Sequence, residues 1–240
     1  MKIVFVGPSL SVPVAEQDAL RSEGLLLLPP ARRGDLLAAA EAGASVIGLI
    51  DGAFETVPSV WHKEILHALA NGIAVYGAAS MGALRAAECA AFGMIPAGRI
   101  AVDYASGLRI DDSDVAQLHG PMEFGYPALT EPLVTVEAVL SAALGGGVLS
   151  VAEHAALKDA AMALHFKDRT WPAMFRSSGL LLASDVPDAL AALRQTVNPK
   201  RDDARTLLSC VRAAPPQRRA APSHWTLSET EHYRRTLNPR

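Results

Sequence analysis

Ile73-Ala74-Val75-Tyr76-Gly77-Ala78-Ala79-Ser80-Met81-Gly82-Ala83-Leu84-Arg85-Ala86-Ala87-Glu88 is the stretch that decides the fold. It opens apolar, passes through small residues around a serine, and continues rich in Ala, Leu and Glu toward Gly93. A short buried strand therefore enters a helix through a tight turn at Gly77–Ser80. Working toward the N-terminus, Ile3–Val6, Leu25–Leu28 and Val46–Ile50 are similar short apolar runs. Together with Ile73–Tyr76 they alternate with helical stretches at Val12–Arg21, Gly34–Ala42 and Pro58–Ala70. Pro58 suits a first helical turn, and Gly72 suits the chain reversal after the last.

Alternation of this kind marks βαβ units, so the expected class is α/β with a parallel-sheet, Rossmann-like core. Working toward the C-terminus, Ile100–Tyr104 reads as another strand, and Asp111, Asp112 and Asp114 as a solvated face or partner contact. From Leu133 onward helical signals take over. The capping box Ser150-Val151-Ala152-Glu153 opens a helix to about Ala163. Gly145-Gly146-Gly147 and Asn198-Pro199-Lys200 read as loops, and the end of the chain is dense in Pro and Arg. The expected organisation is a core over 1–132, a helical C-terminal subdomain over 133–212, and a flexible tail or docking arm over 213–240.

Half of the 240 residues are hydrophobic, a fifth are charged, and the net charge is -3. That balance describes a folded protein and argues against a nucleic-acid binder, which needs clustered Lys and Arg. Arg32-Arg33 and the tail are the basic clusters. Cys89 and Cys210 are too few for a disulfide framework, which fits a reducing cytoplasm. The opening MKIVFVGPS breaks at Gly7-Pro8 before a signal peptide or membrane span is complete, and reads as a first strand.

In an open parallel sheet, ligands bind beyond the carboxyl ends of the strands. The loops expected there carry Ser9, Asp51 with Glu55, and Ser80 between Gly77 and Gly82. Small residues on both sides of Ser80 allow a sharp turn similar to a nucleophile elbow, although the spacing is G-x-x-S-x-G. A helix N-cap or a phosphate-binding loop is the plainer reading of such a serine. A serine nucleophile needs a base, and Lys63, His62, His67 and His119 are the candidates. Lys63 falls on the helix side away from Trp61, Ile65 and Leu69, where a solvated surface lysine is the ordinary case. As a base it must be neutral, which burial near helix N-termini favours. The Met81 and Gly82 amides are candidate oxyanion donors. His119, in His-Gly-Pro, is either a second candidate base or a turn histidine bonded to backbone. Asp51 and Glu55 are candidates for orienting Lys63 or for capping a helix, and no metal-ligand spacing is present.

These residues lie in segments that resemble the TfuA family: VFVGPSL at Val4–Leu10, IGLIDGAFE at Ile47–Glu55, SVWHKEIL at Ser59–Leu66 and YGAASMGALRAAE at Tyr76–Glu88. FGM at Phe92–Met94, HGP at His119–Pro121 and EPLV at Glu131–Val134 continue it, with a flavour of K-R-x-D-A at Lys200–Ala204. The resemblance implies a partner of a YcaO enzyme in peptide-backbone thioamidation. It implies hydrolysis of the C-terminal thiocarboxylate of a ThiS-like sulfur-carrier protein to release sulfide, and help for YcaO in engaging a precursor peptide. It implies a Ser-Lys pair, here Ser80 as nucleophile and Lys63 as base, with no cofactor. A thin Gly-Gly tail would suit the small residues of the site. The competing expectations are a non-catalytic adaptor for YcaO and its peptide, and a phosphate- or nucleotide-binding domain. Against the second stands the absence of a P-loop lysine pattern or a G-x-G-x-x-G fingerprint.

Overall fold

Strands of four residues, too short to stand alone, are held here by parallel neighbours and by the helices that cover them. The computed structural model describes residues 1–53, 57–181, 183–231 and 233. The chain divides into two compact units, Met1–Leu108 with Asp203–Arg240, and Arg109–Asp202.

In the first unit β1 (Lys2–Phe5), β2 (Leu25–Leu28), β3 (Val46–Leu49), β4 (Ala74–Gly77) and β5 (Ile95–Pro96) form one sheet in the order β2-β1-β3-β4-β5. Every pairing is parallel, with Ile3 opposite both Leu26 and Ile47, and Ile47 opposite Val75. β3 and β4 are buried at every residue, as strands covered on both faces must be. The strand order reverses between β1 and β3, which makes their carboxyl ends the topological switch point. The helices of this unit are α1 (Val14–Ser22), α2 (Asp35–Glu41), α3 (His62–Ala70), α4 (Met81–Glu88) and α5 (Arg99–Ala105). On one sheet face Val4, Val46 and Tyr76 share a core with Leu20 of α1 and with Leu207, Leu208 and Val211 from residues 199–213. Ile3, Phe5, Ile47 and Leu49 alternate to the other face and are equally buried.

The second unit is helical: α6 (Leu133–Gly145), α7 (Val151–Ala163), α8 (Trp171–Ser178) and α9 (Val186–Thr196). Val136, Val139 and Leu140 meet Leu157, Trp171, Met174 and Leu190 in its core. Ser150 and Glu153 form the expected capping box at the start of α7. Arg169, 2% exposed, has its guanidinium satisfied by carbonyls, donating to Ala161, Leu164 and Ser113. The division between the units falls within α10 (Pro199–Ala213).

The parallel-sheet class and the four N-terminal strands match the sequence expectation to within one residue, and Ser150 falls where it was expected. The loop expected at Gly145–Gly147 starts at Gly146, because Gly145 ends α6, and Pro199 and Lys200, expected in a loop, are the first residues of α10, where a proline needs no amide partner. Three further local expectations are corrected. Ile100–Tyr104 is the body of α5 and not a strand, because the Asp203 carboxylate accepts the Arg99 and Ile100 amides at 2.9 and 2.7 Å and starts a helix there. The fifth strand is the two-residue β5, too short and too close to a proline to give a period. α3 starts at His62 and not near Pro58, because the Glu64 side chain bonds back to the Trp61 amide at 3.3 Å. In the division into units, residues 109–132 group with the helices and 203–240 with the sheet. After α10 several described residues are tied to the sheet unit. Arg218 donates to the Ala44 and Ala40 carbonyls, the Arg219 amide to Gly72, and Trp225 to Phe92. Lys200 and Asp203, from the K-R-x-D-A segment, have structural work: Lys200 Nζ donates to Val115 and Gln117, and Asp203 caps α5.

Candidate functional site

The carboxyl ends of β1, β3 and β4 bring Ser9, Asp51 and Ser80 to one rim. Backbone contacts set the β4–α4 junction. The Ala78 amide bonds to Leu49 and the Gly82 amide to Ile50, each at 3.1 Å, so the turn is clamped to the end of β3. A Cβ on Gly82 would run into the Leu49 carbonyl, and one on Gly77 into the Gly82 carbonyl. Both positions therefore need glycine for close approach. Ala79 adopts a φ of 65°, the left-handed region that costs an alanine about 1–3 kcal/mol. Strain of this kind at a buried residue persists only where the surroundings impose it, and here it sits immediately before Ser80.

Ser80 occupies the N-cap of α4 and is 5% exposed, yet its hydroxyl makes no capping bond. The plain helix-cap reading therefore does not describe it. Its hydroxyl lies at the positive end of an eight-residue helix. Met81 supplies the first amide of α4, and among the described residues that amide has no acceptor. Gly82, the other candidate oxyanion donor, is corrected: its amide is spent on Ile50.

Ser9 and Asp51 bind each other. The Ser9 hydroxyl donates to Asp51 Oδ1 at 2.6 Å, while the Gly7 and Ser9 amides donate to Oδ2 at 2.8 and 3.0 Å. With Asp51 2% exposed, its carboxylate is a clamp between the β1 and β3 loops, and among the described residues no hydrogen bond joins it to Lys63. Glu55 lies outside the described residues.

Lys63 stands on the first turn of α3, and its ammonium donates to the Ser228 carbonyl at 2.7 Å. Among the described residues no hydrogen bond joins Lys63 to Ser80. His119 lies in the second unit, its ring Nδ1 paired with the Gly120 carbonyl at 2.8 Å and its face edge-on to Tyr126, which is the turn-histidine reading. Asp114 is not a solvated acid: it pairs with Arg109 at 3.0 Å, and Arg109 pairs in turn with Glu137. Burial pushes the Asp114 carboxyl up, against the pull of Arg109.

Two features beside Lys63 escaped the sequence reading. Glu64 is fully buried and accepts the Gly34 amide at 2.8 Å as well as that of Trp61, pinning the start of α2 to the start of α3. Desolvation raises its pKa despite those amides. His62 meets Glu88 at 2.8 Å, and Arg85 joins the same carboxylate at 2.6 Å while bonding to the Val60 carbonyl. Partial burial pushes the Glu88 carboxyl up, but the hydrogen bonds from His62 and Arg85 outweigh it and leave it below its ordinary value. The signal was present in the quoted motifs, since H-K-E and L-R-A-A-E carry the partners, but nothing in either spacing pairs one with the other. Separately, an apolar cavity of about 460 Å³ lies between β1, β2 and α2, lined by Ile3, Phe5, Leu26, Leu28 and Ala39 among others. None of the candidate residues lines it. Among the described residues no helix is long and apolar enough to cross a membrane.

Residues 51–170, half of the 240-residue chain, match the family model described as TfuA-like protein. The span holds Asp51, Lys63, Ser80 and His119. No curated protein matches the chain.

Proposed function

The chain belongs to the TfuA-like protein family, which is associated with thioamidation and linked to YcaO partnership, and on that premise we propose that it is a thiocarboxylate hydrolase. Its substrate is the C-terminal thiocarboxylate of a ThiS-like sulfur carrier. Ser80 Oγ attacks the carbonyl carbon, its proton passes to Lys63, and the carbon–sulfur bond breaks to release sulfide and leave an ester on Ser80. Water then cleaves the ester to the carrier's carboxylate, so the sum is thiocarboxylate plus water giving carboxylate plus hydrogen sulfide. Developing oxyanion charge falls to the Met81 amide and the positive end of α4. The observation that carries this reading is an uncapped, buried serine hydroxyl behind a strained alanine, beside a helix amide that has no other acceptor among the described residues. Sulfide so released serves a YcaO enzyme that thioamidates a peptide backbone, in a cytoplasmic setting.

One observation favours a second reading. Lys63 donates to the Ser228 carbonyl, and an ammonium so engaged does not take a proton from Ser80. A non-catalytic adaptor that binds YcaO and the precursor peptide needs no such transfer. Incubating the protein with a thiocarboxylated carrier separates the two: sulfide release with a carrier mass shift from thiocarboxylate to carboxylate supports hydrolysis. An unchanged carrier, together with restored YcaO output when sulfide is supplied from elsewhere, supports the adaptor.

A further inference from the structure

Lys63 grips a peptide carbonyl, and the peptide is the chain's own C-terminal arm. From Ala214 to Glu229 the arm has no helix or strand. It is held by separated anchors. Trp225 donates its indole N–H to the Phe92 carbonyl at 3.0 Å and stands edge-on to the Phe92 ring. Ser228 offers its carbonyl to Lys63. Tyr233, fully buried, reaches His67 Nδ1 with its hydroxyl and lies with its ring 6.2 Å from that of Trp61. Burial pushes the Tyr233 phenol up to about 12 and His67 down, so the phenol donates to a neutral imidazole. Between Ser228 and Tyr233 the arm carries Glu229 and Glu231, while the helix face beneath carries Lys63, with Arg33 over the Trp61 ring.

We propose that this outer face of α3 is a binding site for an acidic peptide, with the Lys63 ammonium as its carbonyl-binding group, and that the arm occupies it in cis. The ligand has aromatic side chains three residues before and five residues after the carbonyl that Lys63 holds, as Trp225 and Tyr233 stand to Ser228. Polar anchors spaced along an unstructured segment form and break independently, which suits a segment that a competing peptide displaces. Departure of the arm also frees the Lys63 amine from the Ser228 carbonyl, which the hydrolytic reading requires. The site itself does not depend on that reading.

The test uses the full chain and a fluorescein-labelled synthetic peptide of residues 223–233. In the Trp225→Ala, Tyr233→Ala double variant the arm is loosened. Anisotropy then reports peptide uptake by the variant and none by wild type. Acetylation of Lys63 by a water-soluble active ester, read by peptide mass mapping, rises about tenfold in the variant, the size expected for losing a hydrogen bond to a charged group. Adding the peptide brings it back. Equal Lys63 acetylation in wild type and variant, or no peptide uptake by a variant that melts cooperatively, overturns the proposal. Should the double variant not melt cooperatively, Arg218→Ala loosens the arm from α2 without emptying an aromatic pocket, and the same two readings decide. Neither involves a thiocarboxylate, so a protein that releases no sulfide can still pass, and one that does can still fail.

Discussion

The β4–α4 junction and the C-terminal arm are both irregular backbone, and they are held in opposite ways. At the junction, carbonyls of Leu49 and Ile50 take amides one and five residues beyond β4, and no Cβ fits at Gly77 or Gly82. The arm touches the same unit through single side chains and single carbonyls, spaced several residues apart. A hydroxyl that must meet a carbon in one geometry belongs on the first kind of backbone, and a ligand that must leave belongs on the second. Ser80 is on the first, and the partner of Lys63 is on the second.

Changes at the junction should therefore act on chemistry and folding, and changes at α3 more gently. Ser80→Ala should lower sulfide release from a thiocarboxylated carrier by about 10⁴-fold or more while leaving the melting temperature nearly unchanged. Retained turnover would remove the nucleophile. Lys63→Arg keeps the charge and can still hold a carbonyl, but it cannot give up its proton. Turnover should fall about 10²- to 10⁴-fold while carrier binding persists, and near wild-type rates would assign Lys63 to binding alone. Gly82→Ala forces a methyl into the Leu49 carbonyl, and denaturant melts should show a loss of at least about 3 kcal/mol. A neutral result there would mean that the junction is as yielding as the arm.

The two glutamates beside Lys63 sharpen the contrast through pH. Burial raises Glu64 above its ordinary 4.5, so the folded state holds that proton more tightly than the unfolded. Its contribution is greatest below that value and is lost as pH rises through the folded pKa. Glu64→Gln should remove this slope, and it should cost about 1–3 kcal/mol because an amide cannot accept both backbone donors. Glu88 is lowered, so its contribution is present above 4.5 and fades as pH falls through the folded value. Its carboxylate is 42% exposed, and Glu88→Gln should shift stability by less than about 1 kcal/mol, more at neutral than at acid pH. Thermal melts from pH 3 to pH 8, roughly the carboxylate titration range and beyond, would show opposite slopes vanishing in the two variants.

The strands and the Ser80 turn were legible because each is local: an apolar run, then small residues, then a helix-forming run. α5 was not, because its cap is a carboxylate more than a hundred residues away and Ile100–Tyr104 alone resembles a strand. The arm was not, because Trp225 and Tyr233 follow no period and their partners lie on Phe92, Trp61 and His67. The Ser9–Asp51 pair was only half legible. Both residues stood out as loop residues, but that each satisfies the other follows from strand order, and no spacing encodes strand order.

The sheet unit is written in two pieces, with residues 109–202 between them. During synthesis Val4, Val46 and Tyr76 therefore emerge long before Leu207, Leu208 and Val211, which cover them. At about 5–20 residues per second, the stretch from Tyr76 to Leu207 takes roughly 7–26 s. Through it the nascent sheet shows one apolar face to solvent, and α5 waits without its cap. Ribosome-bound chains halted at residue 150 would then be clients for chaperones in a way the finished protein is not.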